Sequence, residues 1–319
     1  MIVGTAAHWL NLLSLSALLG FAVITLQSLT GPVFLRAIRR LAPAEQKWIL
    51  LGWACMPWAL TALVLLQGIA LTPDAFGVAE GLLGSLHWHH ADVFEFTGWH
   101  GWILSTAALW LSLRCGQFLF KHWRLMSQIR LLLSETVAGQ NDGFRVLPTR
   151  EAVAMTTGFV HSRILLSQGL LEQTSQNQQS VILAHEQAHL RARDNLLRLL
   201  LTLMTAVLPD LAAKPLISRF SLVTEQLADA AVKQHHDAAS IAQTLVQVAR
   251  LRHAQTLPGQ AAFIARQQLT ERVYELLEPT RPSRGLQLLV LLALLLMALS
   301  ALSAMDALHH LFDLFLIHS

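Results

Sequence analysis

Four stretches of the chain, 9–29, 49–71, 99–120 and 286–305, are apolar on every side rather than along one stripe. A helix needs about 20 such residues to cross the hydrocarbon core of a bilayer, so each is read as a membrane-spanning helix. Asn11 and Gln27 are the polar interruptions near the ends of the first. Trp9, Trp48, Trp99, Trp102 and Trp123 fall near the expected span ends, where an aromatic belt meets the headgroups. A fifth run, 196–208, is broken only by Arg198, Thr202 and Thr205 and stops at Pro209-Asp210. It is too short to span and reads as a buried or membrane-apposed helix.

The segment 121–284 has a mixed pattern. A helix continues out of the third span over 121–135, and 138–143 is a turn-like break. Short strand-like pieces follow at 144–147, 152–156 and 163–166, punctuated by Pro148 and Gly158. Ser175 with Gln178 fits a capping box, and Val181, Leu183 and Ala184 continue at helical spacing. Further helices are expected over 216–235, 238–254 and 262–278.

Composition agrees with the spans: apolar residues make up 54% of the 319 residues and charged residues only 13%. An ordinary soluble domain carries about 25% charged residues, so a disordered chain and a typical soluble enzyme are excluded. A net charge of +3 is too mild for a nucleic-acid partner. Cys55 and Cys115 fall inside spans and read as small apolar residues. The basic residues set the orientation. No Lys or Arg occurs in 1–35, 48–113 or 285–319, and all 23 lie in 36–47 and 114–284. Basic residues stay on the cytoplasmic side, so both termini and the 72–98 loop are expected outside. No positively charged stretch precedes the first span, which is expected to be uncleaved. The expected division is 1–120, three spans with a His-rich outer loop at 72–98; 121–284, a cytoplasmic catalytic domain; and 285–319, the fourth span and a short outer tail.

The chemistry is concentrated in His185-Glu186-Gln187-Ala188-His189. Residues four apart share a helical face, so both imidazoles can reach one Zn²⁺, and Glu186 can take a proton from water at that ion. Further on, Glu225-Gln226-Leu227-Ala228-Asp229 lies on another expected helix. Glu225 can supply the third ligand, and Asp229, one turn later, can orient a ligand imidazole; the alternative for this pair is a solvated helix face.

The HExxH helix, the downstream ExxxD, the preceding AMTTGFVHSRILLSQGLLE segment and the four-span path together resemble the BlaR/MecR-type membrane metallopeptidases, which include β-lactam sensor-transducers. The same motifs are similar to the related HtpX-type membrane endopeptidases. The resemblance covers about 1–305. It implies His185, His189 and Glu225 as zinc ligands, Glu186 as catalytic base, and Met155, Thr156, Thr157 and Gly158 as an edge strand that pairs with substrate backbone. It also implies a cytoplasmic cleavage triggered from outside, on a repressor-type regulator. Two departures stand out. Only about fourteen residues follow Met305, so no penicillin-sensor domain is expected there. The family's Asn-Pro and Trp between the metal motifs are absent, the chain reading Leu208-Pro209-Asp210-Leu211.

The outer segments are rich in histidine: His8, His87, His89, His90, His100, His309, His310 and His318 lie in or beside them. His87, His89, His90 and His100, with Asp92 and Glu95, offer ligands for a transition metal, or a pH sensor; interfacial histidines on a loop kept free of Lys and Arg are the plainer reading. His161, His235, His236 and His253 fall inside and read as surface or packing residues.

The expected protein is therefore a mainly α membrane protein: four transmembrane helices with an inserted cytoplasmic α+β, zincin-like domain. It acts as a zinc endopeptidase in a bacterial-type inner membrane. Its expected partners are a protein substrate and the lipid bilayer, with homo-oligomers allowed and no direct nucleic-acid contact. Quality-control proteolysis of membrane proteins and a non-proteolytic receptor are the alternatives, and the retained Glu186 speaks against the latter.

Overall fold

The computed structural model describes residues 1–70, 93–134, 136–138, 143–159, 162–253 and 260–316. Four helices among them are long and apolar enough to cross a membrane. They are α1 (Thr5–Ile38), α2 (Pro43–Ala70), α3 (Trp99–Ser134) and, at the C-terminal end, α10 (Arg284–Leu316). Each carries one of the four apolar stretches, and α3 runs on beyond its apolar stretch to Ser134, as the sequence pattern leads one to expect. Much of α3 and α10 faces outward with large apolar side chains, among them Trp102, Leu109, Leu119, Leu288 and Leu295. So much exposed apolar surface suits contact with lipid.

Inside the bundle, two amide side chains of α1 donate to backbone carbonyls. Pro57 lies within α2 and has no N–H, which frees the carbonyl four residues back, on Trp53. Gln27 of α1 donates its amide to that oxygen at 2.6 Å. Asn11 likewise donates to Val93 O at 2.9 Å, tying α1 to a small antiparallel pair made by β1 (Ile2–Val3) and β2 (Val93–Phe94).

The remaining elements form a mixed α+β unit. A four-stranded sheet has the order β3 (Val137–Ala138), β4 (Arg145–Leu147), β6 (Arg163–Ser167), β5 (Ala154–Thr157), with β4 parallel to β6 and β5 antiparallel to it. Three strand-like pieces of the sequence pattern thus appear within a residue or two of their expected bounds. A short helix α4 (Gln168–Glu172) leads into α5 (Gln176–Ala192), α6 (Asp194–Met204), α7 (Asp210–Val232), α8 (Ala238–His253) and α9 (Gln260–Leu277). The capping box at the start of α5 is present: Ser175 Oγ accepts from Gln178 N while Gln178 Oε1 accepts from Ser175 N. The sheet packs on α5 through Ile164, Leu166, Leu170 and Ile182.

The 196–208 run becomes most of α6 plus one 3₁₀ turn, Thr205–Val207. With α7 it makes a helical hairpin driven between the long helices. Leu201, Leu208, Leu216, Phe220 and Val223 of the hairpin share one buried cluster with Phe34 and Ile38 of α1, Leu50 and Trp53 of α2, and Val290 of α10. Trp58 meets the hairpin tip about 15 Å along α2 from Trp48. The carbonyls at the tip would be orphaned among apolar side chains. Three side chains of the long helices satisfy them: Trp58 Nε1 donates to Met204 O at 2.9 Å, Trp110 Nε1 to Val207 O at 3.0 Å, and Arg114 to both Ala206 O and Leu208 O at 2.6 and 2.7 Å.

Candidate active site

Helix α5 carries His185, Glu186 and His189, and α7 carries Glu225 and Asp229. The two helices pack against each other so that the acidic face of α7 meets both imidazoles. His185 Nε2 lies 3.1 Å from His189 Nε2 and 3.4 Å from Glu225 Oε2, and His189 Nε2 lies 3.6 Å from Glu225 Oε1. Donor atoms at zinc-like bond lengths of about 2.0–2.1 Å around one tetrahedral ion stand about 3.3 Å apart. The three side chains therefore fit a single four-coordinate ion, with the fourth position left for water or substrate.

Behind each histidine stands a carboxylate. Asp229 Oδ1 is 3.0 Å from His185 Nδ1, and Asp194 Oδ2 is 2.8 Å from His189 Nδ1. With a carboxylate beside each Nδ1, Nε2 is the ring atom of both histidines that faces Glu225. Asp194 reaches its place because Arg193 adopts the left-handed conformation, φ 51°, and ends α5. The chain turns there, and Asp194 opens α6 directly below His189.

Arg272 of α9 completes the cluster. Its Nε and Nη2 donate to the two oxygens of Asp229, both at 2.8 Å, and its Nη1 is 3.0 Å from Glu225 Oε2. Lys47 of α2 donates to Asp194 Oδ1 at 2.8 Å. With both histidines neutral, as a bound metal requires, four carboxylates (Glu186, Asp194, Glu225, Asp229) face two cations, Arg272 and Lys47, an imbalance of two charges that a divalent ion would neutralise. Burial opposes charge on His185, but its bonds to Asp229 and Glu225 outweigh that and raise its pKa from 6.5 to about 9. Burial pushes Glu225 and Asp229 upward; His185 and Arg272 outweigh it and hold both well below the usual carboxylate range. Asp194 is held low in the same way, by His189 and Lys47 against its burial.

Glu186 is 7% exposed, and Thr156 of β5 donates its hydroxyl to Glu186 Oε2 at 2.8 Å. The strand that the family resemblance implies as a substrate edge, Met155, Thr156, Thr157 and Gly158, therefore borders Glu186. Residues 153, 155 and 157 turn toward β6, since Val153 O accepts from Ser167 N, and 154, 156 and 158 face the open edge. Two of the outward carbonyls are already taken: Asn195 Nδ2 donates to Thr156 O at 2.7 Å and to Gly158 O at 3.3 Å. Gly158 leaves the strand at φ 92°, a conformation that favours glycine.

The site opens into a cleft of about 1030 Å³ between α5, α7 and α3, whose Lys121, His122 and Leu125 line it opposite the histidines. His122 stacks on Phe159 at 5.6 Å between centroids. Sequence reasoning singled out neither His122 nor Asp194, Asn195, Arg272 and Lys47. Only Asp194 left a local trace, as an acidic residue at the start of the 196–208 helix.

Of the outer histidines, His87, His89 and His90 lie outside the described residues, as does His161. His100 stacks on Trp99 near the start of α3, remote from this cluster. His235 and His236 lie past the end of α7, outside the cleft lining.

The model of peptidase family M48 matches residues 142–303, which takes in β4, β5 and β6, both metal motifs and α9. The chain belongs to peptidase family M48. The match makes it a metallopeptidase, and the His185, His189 and Glu225 cluster is the compatible metal site within the M48 region. No curated protein and no solved structure matches the chain.

Proposed function

We propose that this M48 protein is a membrane-embedded zinc endopeptidase that cuts a protein substrate on the cytoplasmic side. The observation that carries the reading is the convergence of His185, His189 and Glu225 beside a buried Glu186. His185, His189 and Glu225 hold the ion; the chemistry it supplies when bound is Lewis acidity toward a carbonyl oxygen and toward water. Glu186 takes the proton of the attacking water and hands it to the leaving amine. Thr156 keeps the Glu186 carboxylate turned toward the reacting centre. The open edge of β5 pairs with an extended substrate segment through Ala154 and the outward N–H groups, and His122 and Leu125 border that segment across the cleft.

The four long apolar helices and the confinement of Lys and Arg to 36–47 and 114–284 support an inner-membrane path with the catalytic unit in the cytoplasm and both termini outside. The resemblance to the BlaR/MecR-type proteins supports a repressor-type regulator as substrate and a signal-transducing role. Wild type and Glu186→Ala, purified in detergent, test the reading through bound zinc and cleavage of a co-expressed candidate repressor. Zinc in both with cutting lost only in the variant is expected. Wild type without zinc would overturn it.

A further inference from the structure

The first turn of α2 places two polar side chains, Gln46 and Lys47, against the carriers of the metal centre. Lys47 is the single basic residue of α2 and is 8% exposed. A lysine so enclosed carries a large desolvation cost unless a carboxylate meets it. Asp194 does, through Oδ1, while its other oxygen meets His189 Nδ1. An unbroken chain of contacts therefore runs from a long apolar helix to a metal ligand.

The Asp194 backbone is set by the Arg193 turn, but the plane of its carboxylate is free to rotate. With Lys47 on Oδ1, the plane is fixed and Oδ2 faces His189 Nδ1. Gln46 makes a second attachment beside the first: its Oε1 accepts from Arg219 Nε of α7 at 2.9 Å, and Arg219 bonds Glu271, the neighbour of Arg272. Both helices that bring ligands are thus referenced to the same turn.

We propose that Lys47 is a positioning residue of the metal centre, acting through Asp194 to fix the orientation and tautomer of His189, so that metal affinity depends on where the first turn of α2 stands. This rests on the metal site proposed above. The family match begins at residue 142, so the element that supplies Lys47 lies outside it.

The test is a double-mutant cycle on the full-length protein in detergent, with Lys47→Met, Asp194→Asn and the two combined, and Lys47→Arg as rescue. Zinc affinity is read by chelator competition, and the electronic spectrum of the cobalt-substituted centre reports its geometry. Removing a group that orients a ligand weakens metal binding about 10–100-fold. Lys47→Met is expected to fall in that range, with a shifted cobalt spectrum. The combined variant should lose no more than Asp194→Asn alone, and Lys47→Arg should recover most of the loss. The combined variant removes both charges together, so it reports even if Lys47→Met cannot fold. Wild-type affinity and spectrum in a folded Lys47→Met, or losses that multiply in the combined variant, would overturn the proposal. Failure of wild type to bind zinc would instead overturn the metal site itself.

Discussion

Thr156 donates its hydroxyl to Glu186 across the gap between strand and helix, so the element that borders the cleft also sets the rotamer of the proposed base. A hydrogen bond to a charged group contributes about 1.5–3 kcal/mol. Thr156→Val keeps the shape and removes the donor. It should lower kcat roughly 10–100-fold, with bound zinc unchanged; steady-state kinetics with metal analysis checks this.

Arg272 pairs with two carboxylates at once, the buried Asp229 and the half-buried Glu225. Arg272→Leu leaves Asp229, 1% exposed, without its bidentate partner. Breaking one side of such a buried pair costs about 3–5 kcal/mol. The variant should melt well below wild type, and zinc should restore part of the loss by neutralising the same carboxylates. A melting curve that does not move would show that water reaches the pair.

Chelator-stripped protein should depend on pH in a defined direction. His185 is raised from 6.5 to about 9, so its contribution to folding is complete below pH 6.5 and is lost as pH rises through 9. Zinc must displace that proton. Affinity should therefore climb about tenfold per pH unit and keep climbing to about pH 9. Chelator competition at stepped pH measures it, and a plateau already at pH 7 would contradict it.

Arg114 closes the hairpin tip. Arg114→Leu strands the carbonyls of Ala206 and Leu208 and the Asp210 carboxylate it pairs at 3.1 Å. An unsatisfied buried carbonyl costs about 1–3 kcal/mol, whereas the Asp210 carboxylate, 45% exposed, keeps its water. The variant should lose thermal stability in detergent, whereas Arg124→Leu, on an exposed stretch of α3, should not.

Much of this was legible in sequence because its determinants are local. The i, i+4 spacing of His185 and His189, the Ser175–Gln178 box and the unbroken apolar spans each depend on neighbours within one or two turns. Glu225 and Asp229 could be picked out because they sit one turn apart on a helix. The groups that orient the site were not legible. Lys47 lies 147 residues from Asp194, and Arg272 lies 43 from Asp229, so nothing near either residue announces its partner. The break at Arg193 was hidden too, since a left-handed non-glycine residue leaves no mark in composition. Asn195 changes how the edge strand is understood. The family resemblance points to an open edge here, but not to an amide that already takes two of its carbonyls.

The buried cluster that joins Leu216, Phe220 and Val223 to Phe34, Leu50 and Trp53 has a genetic consequence. Glu225 stands only two residues past Val223 on the same helix, so packing errors in the bundle are inherited directly by the proposed metal site. A substitution at Phe34 or Trp53, deep in what looks like an anchor, should therefore act like a substitution in the proposed site. Variation in the long helices and in the catalytic helices should accumulate in compensating pairs rather than independently.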